Sequence, residues 1–156
     1  MNRMGMKVAT KYIGEIEVEQ EHIIEFQSGL PGFLDEKRFV LINIPGNTVF
    51  QTLQSVKTPN LAFVVTDPYF IYQDYTFELD DNMLAYLKLE TERDVKVLSI
   101  VTLKKPFDKS TINLKAPIII NVNLNQGKQY ILNDDTYLTK APITAQAEKG
   151  PTSCSY

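Results

Sequence analysis

The chain has 156 residues, 44% of them hydrophobic and 22% charged, with a formal net charge of -3. That length and apolar content suit a single domain with one real core and exclude a disordered chain. The mild acidity argues against a surface built to grip a phosphate backbone, while leaving room for a local basic patch, and it suits a basic protein partner.

Cys154 is the one cysteine, so no intrachain disulfide forms, in keeping with a reducing compartment. Residues 1–10 hold no apolar run of signal-peptide length, and no stretch approaches the length that spans a bilayer. A cytoplasmic location is the expectation. Met4 and Met6 are alternative starts, which predicts an unstructured first five residues.

Glu15-Ile16-Glu17-Val18-Glu19 alternates acid and apolar residues, the period-two signature of a half-buried strand. A short apolar segment covers 22–26, and the two glycines and proline of Ser28-Gly29-Leu30-Pro31-Gly32-Phe33 force a turn. Strands are predicted over 38–44, 49–56, 61–66 and 75–79, separated by Pro45-Gly46-Asn47, Pro59-Asn60 and Asp67-Pro68. The β-branched run 95–103 predicts a central strand. Residues 117–124 and 128–132 predict a hairpin around Asn125-Gln126-Gly127, with Gly127 supplying positive φ.

One short helix is predicted over about 80–88, with Asp80 as N-cap, Asp81 in the first turn, and Met83, Leu84 and Leu87 at helical spacing. From Lys140 the periodicity ends. The expected organisation is a β domain over 7–139 and a flexible C-terminal tail over 140–156. Many short strands with turns between them make the fold class mostly β: a small antiparallel barrel or sandwich with one short helix.

Catalytic constellations are scarce. His22 is the only histidine, and it sits in a short apolar stretch with no nucleophile elbow elsewhere. One Cys and one His far apart do not make a zinc site, and no phosphate loop is present. The reading is a protein without catalytic residues, metal or cofactor.

From Asp67 to Asp94 eight acids (Asp67, Asp74, Glu78, Asp80, Asp81, Glu90, Glu92, Asp94) face only Lys88 and Arg93. This is either a solvated helix with its flanking loops or an acidic face that steers a basic partner. The aromatics Tyr69, Phe70, Tyr72, Tyr75 and Phe77 lie in the same segment, where the acids would repel phosphate. They read as core or as a protein-contact patch.

Several strings, in order, carry a resemblance: Lys11-Tyr12-Ile13-Gly14-Glu15-Ile16-Glu17, Gly29-Leu30-Pro31-Gly32-Phe33, Leu53-Gln54-Ser55, Leu61-Ala62-Phe63-Val64-Val65-Thr66-Asp67-Pro68, Asn113-Leu114-Lys115-Ala116-Pro117-Ile118-Ile119-Ile120-Asn121 and Gly127-Lys128-Gln129. On these the chain resembles the flagellar assembly factor FliW family over residues 7–138. The resemblance implies a non-enzymatic, chaperone-like cytoplasmic protein that binds flagellin. When free, it binds and antagonises the translational repressor CsrA, relieving repression of flagellin mRNA.

On that footing the acidic segment, with Asp67, Asp74 and Glu78, is expected to attract the repressor. Leu30, Phe33, Tyr69 and Phe70 are the expected apolar anchors for flagellin, through a groove or an exposed strand edge. Asn113, Lys115 and Pro117 form another candidate surface, because Pro117 cannot donate to a ladder. A monomer is expected, with no membrane and no direct nucleic-acid contact. Two alternatives stay open. A nucleic-acid-binding β-barrel would need a basic groove from Lys96, Lys104, Lys105, Lys109, Lys115 and Lys128, and a small carboxylate enzyme would need two facing acids in a pocket.

Overall fold

Alternation of apolar and polar residues drives the described residues into eleven short strands, most of them antiparallel. The computed structural model describes residues 5–144. Strands β1 (Gly5–Ala9) and β2 (Glu15–Glu19) form a hairpin in which Met6 pairs with Val18 and Val8 with Ile16. These four side chains share one face and pack with Val40, Ile42 and Val56, while the glutamates face water. The predicted alternation of β2 is thus realised, and Gly5, expected in an unstructured start, is a strand residue paired with Glu19; residues 1–4 lie outside the described residues.

Seven strands close a barrel. β3 (Ile23–Glu25), β4 (Arg38–Asn43), β5 (Phe50–Ser55), β6 (Ala62–Thr66) and β7 (Val95–Thr102) pair in sequence order. β8 (Thr111–Ile112) leaves the ring, and β9 (Ile118–Asn121) with β10 (Gln126–Gln129) completes it, β9 pairing with β7 and β10 with β3. The closing β3–β10 contact is parallel, joining Gln126 to Glu25, and is reinforced by Glu25 N–H donating to Asn125 O. Every other pairing in the barrel is antiparallel. β11 (Ala141–Pro142) adds to β8.

The barrel interior is apolar: Ile24, Phe26, Leu30, Phe39, Leu53, Val65, Leu98, Ile118 and Ile120. All four residues of β9 are buried, because Ile118 and Ile120 point inward while Ile119 lies under helix α1 (Asp81–Tyr86) with Met83 and Leu87. The Asp80 side chain accepts from Met83 N–H at 2.8 Å and starts the helix as expected. Asn121 ends it, donating its side-chain amide to Leu87 O at 2.7 Å.

Three expectations change. Residues 75–79 are not a strand: Thr76 N–H donates to the Tyr137 hydroxyl and Asp80 N–H to that of Tyr130, so side chains satisfy the backbone where a ladder was predicted. In the β9–β10 hairpin the positive φ belongs to Asn125 (51°), and Gly127 is a strand residue instead. A Cβ on Gly127 would lie 2.7 Å from the Phe26 ring, so this glycine serves close approach, not turning. Last, Ala141 and Ile143, expected in a tail, are buried in a second apolar cluster outside the barrel with Tyr75, Val101, Ile112, Leu114 and Leu132. Residues 145–156, the rest of that expected tail, lie outside the described residues.

Two polar groups tie loops to this frame. Gln54 is buried, its Nε2 donating to Pro59 O and Ser55 O while its Oε1 accepts from Lys11 N–H at 2.9 Å, which fastens the β1–β2 turn. Glu36 accepts from the hydroxyls of Ser55 and Thr58, and these bonds, Ser55 first, hold its carboxyl below the usual range.

Two measurements check this account. Gly127→Ala is expected to cost about 1–3 kcal/mol in urea denaturation, since Phe26 is fully buried and cannot yield. The depressed Glu36 pKa means its contribution is fully present above the unfolded-state pKa and is lost as pH falls through the folded-state value. Glu36→Gln should therefore lower stability by on the order of 1 kcal/mol at neutral pH, with the difference vanishing in strong acid.

Candidate functional site

The distinctive surface begins where β6 stops. Asp67 Oδ1 accepts from Tyr69 N–H at 2.9 Å and caps a 3-10 turn, Pro68–Phe70, which takes the chain out of the β6 ladder while it still lies against β7. Tyr69 and Phe70 are left exposed, Phe70 at 58%. Tyr75 is the anchor behind them. It is buried, its hydroxyl donates to Leu114 O at 2.6 Å, and its ring lies 4.7 Å from Tyr137, 5.3 Å from Phe77 and 5.6 Å from Tyr69. Burial, and then the charge of Asp67, push the Tyr69 hydroxyl pKa upward, so both tyrosines stay neutral.

Two clefts meet at Tyr69. One, of about 620 Å³, has a floor of Phe77, Leu79, Leu84, Leu89, Val95 and Val97 and carries Glu78, Glu90 and Glu92 at its edge. The other, of about 930 Å³, lies between the β4–β5 turn and β7, with Asp67, Tyr69 and Phe70 on one side and Val95, Lys96 and Val97 on the other. Tyr69, Val95 and Val97 line both, so the two form one groove with an apolar floor and a mostly acidic rim. Below the rim Asp94 accepts from Thr91 and Glu90 N–H and from Asn123; the Thr91 bond leads in holding its carboxyl below the ordinary range, and the group remains charged. Glu78, Glu90 and Glu92 are exposed to water. Solvated carboxylates steer a charged partner, whereas acid–base chemistry at neutral pH calls for a desolvated one.

The structure brings together Asp67, Tyr69, Phe70 and Glu78 of the predicted site residues. Asp74 is exposed in the same segment but lines neither cleft. Leu30 is corrected: at 1% exposed it is barrel core, and no partner reaches it. Phe33, 41% exposed, packs its ring 5.7 Å from Phe63 on a different patch. Asn113 accepts from Lys115 and Ala116 N–H and shapes a turn, Lys115 pairs with Asp135 at 3.0 Å, and Pro117 is buried ahead of β9. That trio is turn geometry rather than an open surface.

Of the lysines that a nucleic-acid groove would need, Lys104, Lys105 and Lys109 share the exposed loop between β7 and β8, while the others are engaged elsewhere. Lys96 sits in the acid-rimmed groove, Lys115 is paired, and Lys128 stacks 4.8 Å from the Tyr86 ring. Glu19, Glu21 and His22 bring ligand atoms within 4.8 Å of one another at the β2–β3 junction, away from the groove, as an exposed polar turn. Sequence reasoning missed Leu84, Leu89, Val95, Val97 and the β4–β5 turn as groove residues. The one available signal was a length mismatch: β6 ends at Asp67-Pro68 after five residues, while β7 runs for eight.

Comparison with known proteins agrees over nearly the whole described chain. A family model described as FliW protein matches residues 7–143. A flagellar assembly factor FliW of Oceanobacillus iheyensis is 53% identical over 138 residues, covering 88% of this chain and 94% of that protein. One of Bacillus subtilis is 43% identical over 142 residues, covering 91% and 99%. A crystal structure of the flagellar assembly factor FliW superposes with a TM-score of 0.85 at 46% identity, covering 88% of this chain and 96% of that one.

Proposed function

The chain belongs to the FliW family of flagellar assembly factors, and on that premise we propose that it acts by binding, in the cytoplasm and as a monomer, to two alternative partners. The first is flagellin. The second is the translational repressor CsrA, which the protein captures once flagellin has been exported, so that flagellin mRNA is translated. Flagellin level thereby regulates its own synthesis, and no turnover of a substrate is involved.

The observation that carries this reading is the acid-rimmed apolar groove centred on Tyr69. Its floor supplies burial for apolar side chains, and Tyr69 and Phe70 are exposed aromatic anchors, Tyr69 held by its packing on Tyr75. Its rim supplies a negative field suited to a basic, RNA-binding protein; such charges raise association rate and specificity more than they deepen affinity. Among the described residues no helix is long and apolar enough to cross a membrane.

Binding kinetics with purified flagellin and purified CsrA test the proposal. Tyr69→Ala is expected to weaken at least one complex by about 2 kcal/mol, roughly thirtyfold. Reversing Asp74 and Glu78 to lysine is expected to slow CsrA association several-fold and flatten its salt dependence. Wild-type protein that binds neither partner, or association rates indifferent to both reversals, would contradict the reading.

A further inference from the structure

β7 is longer than the partner on one of its sides. β6 pairs with it only from Ser99 to Val101, and β9 pairs with it from Val95 to Leu98. These partners lie on opposite sides. Val101 pairs with both Val64 of β6 and Ile112 of β8, which puts β6 and β8 on opposite edges. Asp94 O accepts from Val122 N–H beside β9 and Ile100 O accepts from Asn113 N–H beside β8, so even-numbered main-chain groups face the β8–β9 edge. Odd-numbered groups face the β6 edge.

Beyond Ser99 that edge makes no further ladder pair with β6, although the 3-10 turn lies beside it. Thr66 pairs with Ser99, so continued register would set Pro68 opposite Val97. Proline has no N–H to give, and the chain turns off there into the 3-10 turn. The N–H and C=O of Val97 therefore point into the groove that Val95, Lys96 and Val97 line. A strand edge without a ladder partner beside an apolar floor is a template for strand addition.

We propose that the Val95–Leu98 edge of β7 accepts an extended segment of a partner protein, alternating apolar and basic residues, as an added strand. This rests on the reading of the groove as the partner-binding surface and specifies how it binds. Alternation follows from the pleat: every second side chain of the added strand meets the apolar floor and the others the rim. The basic character follows from charge, since Asp67, Glu78, Glu90 and Glu92 line the groove against Lys96 alone. A second copy of this chain would bring the same acids to its own acidic rim. β11 pairs through Pro142 with Thr111 and so lies by the Thr102 end of β7, away from Val95.

The probe is a short synthetic peptide alternating lysine and valine, with a backbone N-methylated counterpart that cannot donate to a ladder. Expected results are salt-sensitive binding of the first peptide, slowing of Val97 amide exchange by about tenfold or more on binding, and no binding of the N-methylated form. Val97→Pro removes the open-edge donor while the β9 ladder, made by Lys96 and Leu98, keeps its groups. It is expected to lose the peptide while retaining the wild-type circular dichroism spectrum. Val97 exchange in the unmutated protein keeps the test decisive if that variant does not fold. Unchanged Val97 exchange, or equal binding of the N-methylated peptide, overturns strand addition, even where flagellin and CsrA still bind and the assembly reading survives. Peptide protection of Val97 in a protein that binds neither flagellin nor CsrA supports strand addition and breaks the assembly reading instead.

Discussion

The pairing of β7 is the constraint on which the rest of this molecule depends. One strand of eight residues must serve β9 at its first half, β8 at its second half and β6 on the far edge. Using β9 closes the barrel. Using β8, which recruits β11, pulls a second layer against the outside of the same strand, so that Leu98 and Ile100 pack inward while Val97 and Val101 pack against the outer cluster. The half of β7 that β6 cannot reach is left as an edge. Barrel, second layer and groove are thus three consequences of one strand outrunning its neighbour.

The second layer is where architecture becomes a surface. Residues 67–80 carry no ladder of their own, and they stay in place because Tyr75 is buried with its hydroxyl bonded to Leu114 O and its ring among Tyr69, Phe77 and Tyr137. A buried tyrosine must find an acceptor for its hydroxyl, and here that requirement links an irregular segment to the turn ahead of β9. Tyr69 can then stand half-exposed without being loose. Of the acids around it, Glu78, Glu90 and Glu92 face water, and Asp94 accepts from backbone amides that hold its carboxyl below the ordinary range.

Stability and interaction are separated in space. The barrel interior is packed with apolar side chains, and the polar groups that fix loops, Gln54 and Glu36, lie at the β5–β6 end beside the N-terminal hairpin. The groove lies across the other end of β5 and β6, where the β4–β5 turn and the 3-10 turn flank β7. Substitutions on the groove rim therefore remove little buried area, whereas those at Phe26, Gly127 or Leu30 act on the closure itself.

The sequence by itself determined the mostly β class, the positions of β2, β4, β5, β6 and β7, and the helix start at Asp80, because alternation, turn residues and capping are local signals. It also carried the family resemblance in strings such as Gly29–Phe33 and Leu61–Pro68, and the acid excess around the aromatic segment. Tertiary structure alone decided that Leu30 is core and Tyr69 surface, since both are apolar residues next to a proline and only packing separates them. It decided that 75–79 carries alternation without a ladder, and that Gly127 answers to the Phe26 ring and not to a turn. It made the groove from residues far apart in the chain, Asn43–Val49, Tyr69, Leu84 and Val97, because strand register brings distant segments together and leaves no periodic trace in any one of them.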